Sequence, residues 1–339
     1  MSLDLLFRPR TLTSVAVQRK PVPRLIQSLF FKRGIPLLSD TVDLRKISVP
    51  MYVLPMVSEV SGATAIPGAS RQVTVVPTAR FRPSRPSSAT DLLNVTANGE
   101  SVELKPGMGN MLQRVNDAVA LDIAVLDDSI EASIELMCSD LLRTGIVTAH
   151  ADDGISYKVD YQMPTDHVIV LSGTDLWTDP ASDPEGLYED VAQIIQDKTG
   201  MRPDTVVQGN NAWRAFRNNA KVKEELNNRG VQSGNRIINI GNTYKGDPYN
   251  MAHYVYGGSL PDVHGNTRPL WLDDYVLFGV SDAPCTIEFG LPTDAENTGP
   301  TEKFVKSKLI FDPSAIKIVE ESRPLATADM RYFFLVKVV

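Results

Sequence analysis

The most regular pattern of apolar and polar positions in the chain lies between residues 108 and 143. Apolar residues recur there at steps of three or four, at Met108, Met111, Leu112, Val115, Val119, Ile123, Leu126, Ile130, Ile134, Met137 and Leu141. This spacing predicts one continuous amphipathic helix, which Gly145 is placed to end. At about 1.5 Å per residue such a helix is about 54 Å long, more than a compact domain needs.

Before this helix the pattern changes to short β-rich runs. Residues 47–57 and 71–76 are rich in valine and other strand-forming residues, and Pro50, Pro55 and Pro77 lie within or beside them. Proline restricts a strand to a sheet edge, so these runs predict edge strands or a two-stranded ribbon. Two strands alone are marginal in water. The ribbon is therefore expected to lie on the body of this chain or on another copy.

After the helix, apolar runs and helical patterns alternate. Strands are predicted at 156–161, 167–171, 205–207, 251–256, 275–280 and 285–289, and helices at 184–202 and 211–230. Two more strand-rich stretches follow, at 307–319 and 330–339. This order indicates a mixed α/β body whose last residues are tied into a sheet.

Charge is divided unevenly along the 339 residues. The formal net charge is −7, yet residues 1–90 hold 13 Lys or Arg and four acids, so that segment carries +9 and the remainder −16. The simpler interpretation is a solvated basic face. The alternative is an extended arm that lies on acidic surface of a neighbouring copy or faces a polyanion.

Candidate chemistry is sparse. Cys138 and Cys285 are too few for a disulfide framework, the four histidines are scattered, and no phosphate-binding loop or hydrolase motif occurs. We therefore predict no catalytic, cofactor or metal site. No apolar run reaches the length of a membrane span, and Asp4, Arg8 and Arg10 interrupt any signal-peptide core. No membrane partner is expected.

Two groups of residues are candidates for contacts between subunits. Phe30 and Phe31 end the short apolar cluster 25–31, and we predict that they anchor the arm on a neighbouring subunit; a satellite cluster of the chain's own core is the alternative. Arg80, Arg82 and Arg85 lie in a basic, extended segment. We predict that these three arginines pair with acids on an adjacent subunit.

Three stretches, taken in order, resemble the major capsid proteins of lambda-like tailed phages, the capsid E family. The first is Leu29-Phe30-Phe31 with Pro36, Leu37 and Thr41–Leu44. The second is Trp213–Arg217 with Val222–Leu226 and Arg229-Gly230. The third is Glu321-Ser322 with Pro324-Leu325 and Ala328-Asp329. Together these stretches frame nearly the whole chain.

The resemblance implies an α+β chain with the Hong Kong 97 phage capsid fold. Residues 1–46 would form the N-terminal arm and 47–105 the extended β-hairpin loop. Residues 106–184 would form the peripheral domain, with the spine helix at 108–143, and 185–303 the axial α/β domain. Residues 304–339 would be C-terminal strands that return to the peripheral domain.

The resemblance also implies a function in assembly rather than catalysis. The chain would self-assemble as hexamers and pentamers into an icosahedral shell, which would enclose double-stranded DNA held non-specifically on its inner face. A decoration protein, a scaffold protein and a portal are candidate partners. The shell would belong to the virion and be assembled in the bacterial host cytoplasm. An encapsulin-like compartment of the same fold is the first alternative, and a cytoplasmic α/β enzyme the more distant one.

Overall fold

The computed structural model describes residues 24–48, 70–88, 108–150, 156–229, 243–262, 264–310, 312 and 315–339. Residues 1–23 of the predicted arm lie outside this part of the chain. So do residues 49–69 and 89–105 of the predicted loop.

The helices of the described residues are one long and four short ones. They are α1 (Leu25–Phe30), α2 (Met108–Thr144), α3 (Pro184–Thr199), α4 (Asn210–Asn218) and α5 (Ala220–Arg229). Short 3-10 turns occur at Thr165–His167, Gly173–Asp175, Pro248–Asn250 and Met330–Tyr332.

The strands are short and are distributed over the whole described chain. The first nine are β1 (Lys32–Arg33), β2 (Thr41–Ser48), β3 (Ser70–Pro77), β4 (Ser84–Ser88), β5 (Ile146–His150), β6 (Ser156–Asp160), β7 (Val168–Val170), β8 (Thr205–Gln208) and β9 (Tyr244–Gly246). The second nine are β10 (Ala252–Val255), β11 (Ser259–Pro261), β12 (Thr267–Pro269), β13 (Tyr275–Gly279), β14 (Thr286–Phe289), β15 (Phe304–Ile310), β16 (Ala315–Glu321), β17 (Pro324–Thr327) and β18 (Phe333–Lys337).

Helix α2 confirms the predicted long helix and ends one residue later than predicted, at Thr144. Gly145 follows with a positive φ of 70°, a conformation that glycine adopts without steric cost. Within the apolar stripe, Ile130, Ile134 and Leu141 are fully buried. The helix is thus held by its apolar face, as its periodicity predicts.

A six-stranded sheet forms the centre of the body, in the order β7-β18-β13-β8-β10-β9. Adjacent residues of β13 show that both faces of this sheet are covered. Tyr188 of α3 meets Phe278 edge-on on one face, with ring centroids 4.8 Å apart. On the other face a Cβ added to Gly279 would come within 2.7 Å of the Phe30 ring. A sheet buried on both sides accounts for the continuous apolar runs of β13 and β18.

The C-terminal strands, predicted to return to the peripheral domain at 106–184, divide among different sheets. Strand β15 pairs with β16, and Val305, Ile316 and Ile318 pack with apolar residues of α2. The last strand, β18, instead lies between β7 and β13 in the six-stranded sheet. Its residues 333–336 are all buried, as expected for a strand inside a sheet that is covered on both faces.

The predicted helix at 211–230 is two helices separated at Asn219. The Asn219 side-chain oxygen accepts hydrogen bonds from the backbone N–H groups of Lys221 at 3.0 Å and Val222 at 3.4 Å. Its Nδ2 donates to the Ser182 hydroxyl at 2.7 Å. Asparagine caps a helix start in this manner. The break therefore follows from a capping residue that the apolar periodicity does not reveal.

Strands β2 and β3 form an antiparallel hairpin whose register runs from Thr41–Pro77 to Ser48–Ser70. The first strand begins at residue 41 rather than 47, so it includes the end of the predicted arm. Within the described residues these two strands form a sheet of their own. The Thr78 hydroxyl donates to the Asp40 carbonyl at 2.8 Å and closes the base of the hairpin. The base is joined to the body by the Leu291 backbone N–H, which donates to the Ser39 carbonyl at 2.9 Å.

Candidate interaction surfaces

Phe30 and Phe31 lie in the core of their own chain. Phe30 is 1% exposed and meets Phe333 of β18 edge-on, with ring centroids 5.2 Å apart. Phe31 is 9% exposed and belongs to the same apolar cluster. The prediction that they anchor the arm on a neighbouring subunit is therefore wrong. Gly279 opens the space that Phe30 fills, and this partner lies too far along the sequence for local patterns to indicate it.

The start of α1 is fastened to α2 by Glu135. The backbone N–H groups of Ile26 and Gln27 donate to its carboxylate at 2.9 and 3.1 Å, and the Tyr256 hydroxyl donates at 2.7 Å. Burial raises the pKa of Glu135 although these hydrogen bonds act to lower it. Burial, followed by the nearby Glu135 charge, raises the pKa of the Tyr256 phenol.

A buried ionic cluster joins α2 to β1 and to the residue before β15. Lys303 contacts Asp127 and lies 2.7 Å from Glu131, and Arg33 reaches the second Glu131 oxygen at 2.5 Å. Arg33 also pairs with Glu302 at 2.9 Å. Burial alone favours protonation of Glu131, but Lys303 and Arg33 outweigh it and lower its pKa. Burial acts to lower the pKa of Lys303, but the carboxylates of Glu131 and Asp127 outweigh it and raise that pKa.

Sequence reasoning missed this cluster, although a signal was present. Asp127, Glu131 and Glu135 follow one another at steps of four, and all three are buried. Acids spaced four residues apart lie on the same side of a helix. When they border the apolar face they can be buried, provided that cations from other parts of the chain pair with them. Those cations, Arg33 and Lys303, come from distant parts of the chain.

Arg80, Arg82 and Arg85 each pair with an acid of their own chain. Arg80 forms a bidentate pair with Glu321 at 2.9 and 2.8 Å. Arg82 lies 3.4 Å from both Asp294 and Glu321.

Arg85 lies 2.8 Å from Asp122 of α2. The arginines were predicted to pair with acids of an adjacent subunit. Within the single chain they pair with Glu321, Asp294 and Asp122 of the same chain. The three guanidinium side chains remain 39%, 40% and 49% exposed, in the order Arg80, Arg82 and Arg85.

Exposed apolar side chains collect at the base of the hairpin. Leu38 is 80% exposed and Val75 is 61% exposed. Leu38 and Val75 line a groove of about 1220 Å³ between the hairpin and the body. Large exposed apolar side chains that cluster in this way are typical of an interaction surface.

Both cysteines and His253 are buried within the described residues. Burial raises the pKa of both the Cys138 and Cys285 thiols, that of Cys285 to about 12, which disfavours the reactive thiolate. Burial lowers the pKa of His253 to about 3. Across the described ranges, no three His, Cys, Asp or Glu side chains are placed to share a metal ion. None of the described helices combines the length and apolar character needed to cross a membrane.

Comparisons with known proteins agree with this architecture. The family model of phage major capsid protein E matches residues 8–338. No curated protein sequence matches significantly. A crystal structure assigned as a capsid protein of a prophage in E. coli CFT073 is 17% identical, with a TM-score of 0.73 and coverage of 98% of this chain and 99% of that one.

A phage-related protein from Bordetella bronchiseptica RB50 is 11% identical, with a TM-score of 0.50 and coverage of 97% and 96% of the two chains. At such identities the structural similarity shows the fold alone. That fold is the α+β Hong Kong 97 capsid fold. Because the family model spans nearly the whole chain, the protein belongs to the phage major capsid protein E family and is a capsid shell protein.

Proposed function

We propose that the chain assembles as hexamers and pentamers into an icosahedral shell that encloses double-stranded phage DNA. Membership of the phage major capsid family supports a shell. The observation that carries the proposal furthest is the β2–β3 hairpin. It stands as a separate two-stranded sheet in the described chain and exposes Leu38 and Val75 at its base.

The energetics of the hairpin favour a neighbouring copy. A two-stranded ribbon is marginal by itself, whereas fully burying a valine or leucine side chain is worth about 1.5–3 kcal/mol. Contact with a second copy would bury Leu38 and Val75 together. A hairpin on one copy and its binding surface on the next make a heterologous contact, which closes into rings when the rotation closes.

The three arginines Arg80, Arg82 and Arg85 are placed to make a smaller contribution to the contact with a neighbouring copy. Each is already paired within its chain, yet each keeps more than a third of its side chain exposed. Arg80, Arg82 and Arg85 can therefore accept an additional anionic partner on an adjacent subunit. Other basic residues would hold packaged DNA through non-specific phosphate contacts, which weaken as salt rises.

Substitution of all three arginines tests this secondary contribution. Arg80→Ala, Arg82→Ala and Arg85→Ala in one chain should lower both shell yield and the salt concentration at which shells dissociate. Unchanged yield and salt resistance would show that these side chains act only within their own chain. Lys32→Ala is a suitable control, because this cation is 71% exposed and pairs loosely with Asp282 at 3.5 Å.

We also propose the division into functional parts that the resemblance implies, with one revision. Helix α2, with β15, β16 and β4, would form the peripheral part, and the six-stranded sheet with α3, α4 and α5 the axial part. Because β7 and β18 lie in the six-stranded sheet, we assign both strands to the axial part. A decoration protein, a scaffold protein and a portal remain candidate partners, and assembly would occur in the host cytoplasm.

Particle size provides the direct test of the proposed function. Size-exclusion chromatography and negative-stain microscopy should show megadalton shells rather than a 37.2 kDa species. Nuclease-protected double-stranded DNA inside shells recovered from infected cells would support a phage capsid. Shells that enclose protein and no DNA would favour an encapsulin-like compartment. A chain that stays monomeric under all assembly conditions would contradict the proposal.

A further inference from the structure

The three-stranded sheet β15-β16-β4 has two unlike faces. On one face Ile316 and Ile318 of β16 pack with apolar residues of α2. Because side chains alternate along a strand, Lys317 between them points away from α2. Lys308 of β15 lies directly opposite Lys317 and shares its face, as does Lys306 two residues earlier. The face turned away from α2 therefore carries three lysines.

Two of these lysines lack an acidic partner in the described part of the chain. Lys306 contacts Asp294 and is neutralised by it. Lys308 and Lys317 are both exposed, and neither forms an ion pair with a described residue. Like charges that lie directly opposite each other in an antiparallel pair destabilise the sheet. An anionic partner on this face would remove that repulsion.

The positive charge of this sheet contrasts with the rest of the chain beyond the basic N-terminal part. Residues 304–319 contain three lysines and one acid, Asp312, so they carry +2, whereas residues 91–339 as a whole carry −16. On β4, Pro86 lies opposite Lys317 and Ser84 lies opposite Val319, and both are exposed. The lysines are thus bordered by small neutral residues, which leaves the positive charge open to a partner.

The chemistry of the face favours phosphate over a protein surface. The centres of protein interfaces are enriched in aromatic residues and arginine and depleted in lysine. Among the described residues of β4, β15 and β16, no aromatic side chain is exposed. Lysine binds phosphate as a flexible point charge and reads no bases. Duplex DNA offers one negative charge per about 1.7 Å of its axis, so it can meet both lysines without a defined register.

We propose that the face of this sheet turned away from α2 lines the shell interior and binds the phosphates of duplex DNA through Lys308 and Lys317. This inference rests on the proposed shell and adds to it the surface that meets the DNA and the side of the sheet that faces inward. The contact is non-specific and weakens as salt rises.

DNA binding by the full chain tests the two lysines directly. The probe is a fluorescent duplex of about 30 base pairs, and anisotropy gives its affinity at several salt concentrations. Lys308→Gln with Lys317→Gln should lower the slope of log affinity against log salt by about 1.8, because each lost phosphate contact removes about 0.9. The same change should raise the melting temperature of the free chain by about 1–2 °C, since it ends the repulsion between the two lysines.

A matched control changes the net charge equally at other places. Lys32→Gln with Lys223→Gln removes two exposed lysines outside this sheet and should leave the slope unchanged. Lys308→Arg with Lys317→Arg keeps both charges and should also leave it unchanged. An equal slope for the Lys308→Gln, Lys317→Gln chain and this control would overturn the assignment. A loss of shell yield with an unchanged slope would show instead that the face binds an acidic protein surface.

Formaldehyde cross-linking of DNA-filled shells, followed by mass spectrometry, tests the contact in the assembled particle. Peptides that contain Lys308 or Lys317 should carry nucleotides at least about tenfold more often than peptides that contain Lys32 or Lys223. Filled shells in which the DNA is linked only to other lysines would overturn the inference while leaving the shell function standing. Shells that never contain DNA would contradict the proposed phage capsid function itself.

Discussion

The six-stranded sheet and the β2–β3 hairpin show two different ways to hold a β-sheet. Strands β8, β13 and β18 are buried on both faces, by aromatic residues such as Tyr188 and by Phe30. The hairpin pairs only with itself in the described chain and leaves Val75 exposed. The sheet is therefore complete in one chain, while the hairpin needs a surface from elsewhere. Damage to the sheet should unfold the chain, and damage to the hairpin should affect only assembly.

The largest effect is expected at Phe30. Phe30→Ala leaves a cavity over Gly279 and Phe333 and should lower the free energy of unfolding by about 4 kcal/mol. Denaturant unfolding followed by circular dichroism measures this change. Val170→Ala is the control, because that side chain is 63% exposed and the change should cost less than about 0.5 kcal/mol. Equal effects of the two substitutions would show that Phe30 is not a core residue.

The buried ionic cluster should give the next largest effect. Lys303→Met leaves Asp127 buried without its cation, while Arg33 still holds Glu131, so a loss of about 3 kcal/mol is expected. Lys306→Met is the matched control. Lys306 pairs with Asp294 in a more exposed setting, so its removal should cost less than about 1 kcal/mol. A Lys303→Met chain as stable as the control would contradict the role assigned to the cluster.

The two glutamates of α2 should respond to pH with opposite signs. The lowered pKa of Glu131 means that its stabilisation is present above the ordinary value of 4.5 and is lost as pH falls through the folded-state pKa. The raised pKa of Glu135 means that its contribution is present below 4.5 and is lost as pH rises through the folded-state pKa.

Relative to the unaltered chain, Glu131→Gln should lose less stability between about pH 5 and pH 3. Glu135→Gln should lose more stability between about pH 7 and pH 4. Thermal melts across this pH range measure both differences. Parallel pH profiles for the two variants would show that the carboxylates do not titrate as their surroundings indicate.

The smallest effect on stability is expected at the hairpin. Leu38→Ser with Val75→Ser should change the free energy of unfolding by no more than about 0.5 kcal/mol per site, because both side chains are exposed. Shell yield, measured by sedimentation, should nevertheless fall strongly. Leu309→Ser removes a side chain of comparable exposure on β15. If it lowers the yield as much, the effect is not specific to the hairpin.

The sequence indicates the local elements of this fold better than their neighbours in space. The period of the apolar residues in α2 predicts the helix, and valine-rich runs predict β8, β13 and the hairpin strands. No local pattern indicates that Phe30 meets Gly279, or that β18 lies between β7 and β13. Such pairings depend on which distant surfaces match in shape. Only the resemblance to a family supplied the overall arrangement.

The partners and the exposure of the surface residues could not be predicted from the sequence either. The basic character of residues 1–90 is visible in the sequence, but the partners of Arg80, Arg82 and Arg85 are acids that the fold brings to them. The exposed pair Leu38 and Val75 also comes together only when the hairpin closes and its base docks on the body. Exposure is a property of the folded chain, so composition alone does not assign it.

A cryo-electron microscopy structure of shells formed by this chain tests the central claim most directly. The measured quantity is the solvent-exposed fraction of Leu38 and Val75, which are 80% and 61% exposed in the single chain. The account predicts that both side chains are buried by a neighbouring copy in the shell, while the six-stranded sheet is unchanged. Shells in which both side chains still face solvent would contradict it.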